Sequence, residues 1–207
     1  MPSRGQILDL GCGINSDLDE YRSPTCDVWG TDFEEHPSLN HATWFRKLAN
    51  NGAIPFANEQ FNLVAARMVL EHVEHPARFL SEVSRVLRPG GHLVGHTISG
   101  SHYVTWLRRL FGVLPHSFNQ SLVRLLYGRA EVDTFPAFYR MNTIQQIRAA
   151  AEGTGLIIRQ VRRYADPGYF HFSTMTRAAA VAMDRTLATL QSGLGRLYFT
   201  IVLQKST

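Results

Sequence analysis

The 207-residue chain has two cysteines, Cys12 and Cys26, and two lysines among its twenty-one basic residues. Two thiols suggest neither a disulfide framework nor a metal site. A reducing cytoplasm is therefore the expected compartment. No run of about 18 apolar residues occurs, so no transmembrane helix is expected. The opening Met1-Pro2-Ser3-Arg4-Gly5 lacks an apolar stretch of the signal-peptide type. Nothing matches a helix-turn-helix, a zinc finger or an aromatic RNA-binding strand, and no nucleic-acid partner is expected. The histidines and acids lack the spacing of a metal site.

Charge of one sign is scarce in each half. Residues 1–60 carry nine acids and four bases; residues 61–207 carry eight acids and seventeen bases. This asymmetry has two readings: a solvated arginine-rich surface, or proximity of the second half to an anionic substrate or membrane surface. The length suits one large α/β domain with ample core.

The chain is organised around Ile7-Leu8-Asp9-Leu10-Gly11-Cys12-Gly13. Ile7, Leu8 and Leu10 form the apolar run of a central parallel strand. Gly11 and Gly13 open a turn at its carboxyl end, where open α/β sheets bind ligands. Asp32 closes a second strand, 27–31, at about the ~20-residue spacing of a ribose-binding acid. A nicotinamide-binding turn would have a third glycine opening a long helix; position 16 is Ser16.

Further along, residues 42–46 read as a short third strand and 61–66 as a fourth. An amphipathic helix with Phe79, Leu80, Val83, Val86 and Leu87 on its apolar face follows. Arg88-Pro89-Gly90-Gly91 ends it, and 92–96 is strand five. Residues 100–130 hold Arg108, Arg109, Arg124 and Arg129 and no acids. Their apolar residues fall at helical spacing, as in a helical hairpin. That insert can complete the core, face lipid or an acyl chain, or form a dimer contact. A helix over 144–152, capped by Asn142 or Thr143, strand six over 156–161, a helical stretch over 169–193 and a last strand over 197–203 complete the pattern.

Taken together, Ile7 to Asn15, Asp32, residues 54–64, Glu71-His72-Val73 and Ser81-Glu82-Val83-Ser84-Arg85-Val86-Leu87-Arg88-Pro89-Gly90-Gly91 resemble class I S-adenosylmethionine-dependent methyltransferases. The likeness is greatest to the broad type 11 small-molecule group. It implies one domain over 1–207: a Rossmann-like, seven-stranded, mostly parallel sheet with helices on both faces. Its last strand would be antiparallel between strands five and six, and a helical cap would occupy 100–140. The cofactor implied is S-adenosyl-L-methionine, leaving as S-adenosyl-L-homocysteine. The resemblance implies a small-molecule acceptor in a family that methylates oxygen, carbon or nitrogen; methylation at oxygen is the expectation, and the basic insert is compatible with an anionic or lipid-linked acceptor and peripheral membrane contact.

The resemblance also implies site roles. Asp9 would meet the methionine ammonium, and Gly11, Cys12 and Gly13 would lie along the methionine. Asp32 would hold the ribose, Phe33 would lie beside the adenine, and the main chain of Arg67 and Met68 would pass close by. An acid usually follows strand three in this family; here Lys47-Leu48-Ala49-Asn50-Asn51 has none, and Asn50 would accept the adenine amino hydrogen bond instead. Asn15 stands where many members have glycine, and Asn62 where they have aspartate. The family's N-terminal helix over the cofactor is not seen, so the expectation is either a lid from elsewhere in the chain or an unusually open site. His72, just past strand four, is the first candidate base and His96, on strand five, the second. Tyr139 and Arg140 are candidates to orient an acceptor. The alternatives left open are that Glu71 and His72 only brace their loop, and that the chain binds the cofactor without turnover or needs a partner. Acceptor identity and oligomeric state are not legible.

Overall fold

The computed structural model describes residues 4–13, 18–35, 44–102, 136–165, 178, 181–183, 185–187 and 195–207. Seven strands form one sheet: β1 (Gly5–Leu10), β2 (Cys26–Asp32), β3 (Trp44–Lys47), β4 (Phe61–Arg67), β5 (Leu87–Ile98), β6 (Leu156–Tyr164) and β7 (Tyr198–Lys205). Their order is β3-β2-β1-β4-β5-β7-β6. The first five are parallel, with Ile7 opposite Val28 and Leu63, and Leu63 to Arg67 opposite His92 to His96. Bonds from Ser99 N to the Leu197 carbonyl (2.6 Å) and from Gln204 Nε2 to the Gly90 carbonyl (3.0 Å) show β7 running against β5. Arg159 Nε to Gln204 Oε1 (2.9 Å) and Ser206 N to the Gly155 carbonyl (2.9 Å) do the same for β6.

The central strands carry the core because they are covered on both faces. Leu8, Val28, Phe61 and Val64 are fully buried. Two α-helices are described from end to end, α1 (Pro76–Val86) and α2 (Ile144–Ala151). Pro76 opens α1 at a position whose amide would have no partner. Leu80, Val83 and Val86 are its buried stripe. Ser84 donates to the Thr154 carbonyl at 2.6 Å, joining α1 to the turn after α2. Thr143 caps α2 in a reciprocal box with Gln146.

The sequence placed Leu87 on the helix, but it is the first residue of β5. Pro89 forbids a helical continuation and pushes Arg88 toward extended backbone. The strand then absorbs Arg88-Pro89-Gly90-Gly91 through a register shift against β4, with Gly90 at φ 76°. It therefore spans twelve residues, where 92–96 was expected.

Two units emerge from the pattern of contacts. The first comprises Met1–Thr97, Phe138–Val161 and Thr200–Thr207, and contains everything discussed below. The second comprises Ile98–Ala137 and Arg162–Phe199. Residues 103–135, which include most of the expected cap, lie outside the described residues, as do Asn15 and Ser16. In the stretch 169–193, the described residues 178, 181–183 and 185–187 are helical. No helix among the described residues is long and apolar enough to cross a membrane.

Candidate active site

The glycine turn leaves β1 directly over the end of β2. Gly11 N and Cys12 N both donate to the Thr31 carbonyl, at 2.8 and 3.2 Å. Gly11 (φ 79°) and Gly13 (φ 56°) hold left-handed angles. They do so for different reasons. A Cβ on Gly11 would sit 2.3 Å from Val69 Cγ2, whereas a Cβ on Gly13 would meet nothing within 4 Å. Gly11 is thus required by packing, and Gly13 leaves the main chain open to a ligand.

Asp32 ties the turn to the second strand. Its Oδ2 accepts from Gly13 N (2.9 Å) and its Oδ1 from Phe33 N (2.7 Å). A carboxylate has about four lone-pair sites, so each oxygen keeps capacity for a further donor. Phe33 is 45% exposed beside it. Asp9 is buried at the end of β1. Cys12 is also buried; loss of solvation, then the charges of Asp9 and Asp32, push its thiol up to about 12. It remains a neutral thiol, and only its main chain is chemically available. Asn50 is exposed in a turn closed by Gly52 N to the Ala49 carbonyl, 2.7 Å.

The corner after β4 is locked by three consecutive residues. Val69 packs on Gly11, and Leu70 on Gly95, where a Cβ would approach Leu70 Cδ1 to 2.8 Å. Glu71, in the 3-10 turn Leu70–His72, is buried and accepts from Thr97 Oγ1 at 2.7 Å. Immediately before them Met68 holds φ 55°, its amide bonded to the His96 carbonyl at 2.8 Å, with the residue 41% exposed. Arg67 is exposed at the strand end, opposite His96 in register.

His72 is half-buried, with its amide on the Val69 carbonyl (2.9 Å). His96 is half-buried and its Nδ1 lies 2.9 Å from Thr200 Oγ1. Burial holds its imidazole below the usual histidine range, with Arg67 adding to the effect and Glu71 opposing it. The neutral imidazole, the form able to accept a proton, is thereby favoured. The parallel strands thus bring Asp9, Gly11, Cys12, Gly13, Asp32, Arg67, Met68 and His96 to their carboxyl ends.

One role escaped the sequence. Glu82 and Arg85, three apart on α1, clamp the segment that leads into β4. Ile54 N donates to Glu82 Oε2 (2.9 Å), and Arg85 donates to the carbonyls of Ile54 and Phe56, both at 2.8 Å. The pair itself is bidentate, with both bonds 2.8 Å. Arg85 holds the Glu82 carboxyl below the ordinary carboxylate range. A group depressed in the folded state contributes stability above its unfolded pKa and loses it as pH falls through the folded value. Glu82→Gln should therefore cost about 1 kcal/mol at pH 7, or roughly 2–4 °C. The gap to wild type should close as pH drops below about 4. Melting curves against pH check this; a constant gap would contradict it.

A methyltransferase domain model matches residues 1–161. Demethylmenaquinone methyltransferase of Renibacterium salmoninarum is 26% identical over 129 residues, 56% of this chain and 52% of that protein. A ubiquinone/menaquinone biosynthesis C-methyltransferase of Desulfotalea psychrophila is 34% identical over 104 residues, 45% and 41% of the two chains. This chain spans about half the length of the curated relatives it matches, or less. Phosphoethanolamine N-methyltransferase 2 of Haemonchus contortus, solved with S-adenosyl-L-methionine, superposes with TM-score 0.58 at 16% identity. The match covers 100% of this chain and 50% of that one. A methyltransferase of Methanosarcina mazei gives TM-score 0.57 at 18% identity, covering 100% and 94%. Strand order, glycine turn and the domain match agree: this chain belongs to the class I S-adenosylmethionine-dependent methyltransferase domain family.

Proposed function

We propose that the chain transfers the methyl group of S-adenosyl-L-methionine to an oxygen of a small-molecule or lipid-linked acceptor. The observation that carries the reading is the pairing of Gly13, open above its Cα, with an Asp32 carboxylate that its own amide holds in place. The donor set fits the cofactor. Asp9 and Asp32 flank the turn and match an ammonium and a ribose diol; Phe33 offers an exposed ring for the adenine, and Asn50 an amide oxygen for its amino group. Gly11, Cys12, Gly13, Arg67 and Met68 would contribute main chain. Oxygen as the target is supported by two further relatives, a ubiquinone biosynthesis O-methyltransferase and a malonyl-[acyl-carrier protein] O-methyltransferase.

The bound cofactor supplies a methyl already activated on a sulfonium, so the protein's task is alignment and exclusion of water. A hydroxyl acceptor is a poor nucleophile at neutral pH, and His72 would take its proton, with His96 as the alternative base. His72→Asn should lower kcat on order of 10²–10³-fold and leave S-adenosylhomocysteine affinity unchanged. Transfer of label from methyl-tritiated cofactor to catechol, hydroquinone and carboxylate probes measures this. An unchanged kcat would leave His72 as a brace. The absence of an acid after β3 favours a second reading, cofactor binding without turnover. Wild type that binds S-adenosylhomocysteine and transfers no label supports that reading.

A further inference from the structure

We propose that Glu71 is a positioning residue that fixes Tyr139 against the methyl acceptor; this rests on the methyl-transfer reading above. Glu71 holds both ends of residues 138–142. Its carbonyl accepts from Phe138 N (2.8 Å) and Tyr139 N (3.0 Å). Its carboxylate accepts from Thr97 Oγ1, which in turn accepts from Asn142 Nδ2 at 3.0 Å. Glu71, Thr97 and Asn142 are all buried, at 5%, 0% and 0% exposure. The chain of donors has one direction, Asn142 to Thr97 to Glu71, and a buried acid is its terminal acceptor. In a dry site such a relay is costly to break.

Between the two anchors, Met141 is fully buried, and Tyr139 is half-buried at φ 52°. A bulky L-residue there is strained. Gln146 Nε2 donates to the Tyr139 carbonyl (3.1 Å), and Arg140 Nη1 to the Glu74 carbonyl (2.8 Å), so the turn is held from four directions. A fold that needed only the turn would be more stable with glycine at 139. Backbone strain of this kind, held in place by surrounding bonds, is a mark of ligand sites.

Location says which ligand. The chain reverses between β1 and β4, the switch point at which open sheets bind ligands. The glycine turn and Asp32 belong to the β1–β2 half. Residues 138–142 are bonded to the turn after β4 and to Thr97 on β5, the other half, which leaves them to the acceptor.

The test uses the full chain with Glu71→Ala, Glu71→Gln and Tyr139→Gly. Three quantities are read: amide exchange over 138–142, S-adenosylhomocysteine affinity, and KM and kcat on whichever phenolic or carboxylate probe wild type methylates. Glu71→Ala should speed exchange across 138–142 and raise acceptor KM, each about ten-fold or more, with cofactor affinity unchanged. Glu71→Gln should restore both, since its amide oxygen still accepts from Thr97. Tyr139→Gly should melt no lower than wild type yet raise acceptor KM about ten-fold or more. Exchange that rises throughout the protein in Glu71→Ala, or a KM unmoved by Tyr139→Gly, overturns the inference alone. Wild type that binds no S-adenosylhomocysteine and transfers no label overturns the methyl-transfer reading. Wild type that binds without transfer removes the acceptor, and the inference with it.

Discussion

Replacing Asp32 with alanine is expected to weaken S-adenosylhomocysteine binding on the order of 10²–10³-fold. The carboxylate has two duties. It pins the glycine turn through Gly13 N and fixes the next residue through Phe33 N. Its remaining lone pairs are those available to the ribose hydroxyls. Two charge-assisted hydrogen bonds are worth roughly 3–4 kcal/mol together, which sets the size of the loss. Asp32→Asn retains one acceptor oxygen and turns a donor toward one of the two amides, so an intermediate loss of about ten-fold is expected. Asp32 is only half-buried, and its loss should cost the fold about 1 kcal/mol or less. Calorimetric titration beside a melting curve separates the two effects. Comparable affinity in Asp32→Ala would remove the ribose role.

Gly11→Ala should be the most destabilising single methyl in this part of the chain. The left-handed backbone costs an L-residue about 1–2 kcal/mol, and a Cβ at 2.3 Å from Val69 Cγ2 forces a shift in the locked corner after β4. Together these give roughly 3 kcal/mol, a fall in Tm of about 6–12 °C. Val69→Ala in the same background should recover the packing part and leave the backbone part. Gly13→Ala has the same left-handed angle but no neighbour to meet. It should cost about 1–2 kcal/mol and show its main effect in cofactor affinity. Equal losses of Tm in the two variants would contradict this division of labour.

What the sequence revealed and what it hid follow from range. Local chemistry was legible: the glycine turn with its acid about twenty residues on, the stripe of α1, and a cap at Asn142 or Thr143, of which the structure uses Thr143; the place of β7 between β5 and β6 came from the family resemblance. Leu87 misled because its spacing from Val83 is helical, while the proline two residues later decides its backbone. The turn Leu70–His72 was legible as a feature and its chemistry was not. Glu71 bonds Thr97 twenty-six residues away, Thr97 meets Asn142 at forty-five, and His96 meets Thr200 at one hundred and four. No periodicity encodes such pairs. The clamp of Glu82 and Arg85 was visible as a motif, but its targets are main-chain carbonyls of Ile54 and Phe56, which side-chain identity does not announce. His72 lies just past β4 and His96 on β5, their role as bases belongs to the proposal, and the cap's arginines lie outside the described residues.

The most direct test of the account is titration of the wild-type chain with S-adenosylhomocysteine and, separately, with NADH. One S-adenosylhomocysteine is expected to bind per chain, with Kd in the micromolar range, and NADH to give no saturable heat. Saturable NADH binding with none for S-adenosylhomocysteine would contradict it, and would reassign Asp32 and the glycine turn to a different nucleotide.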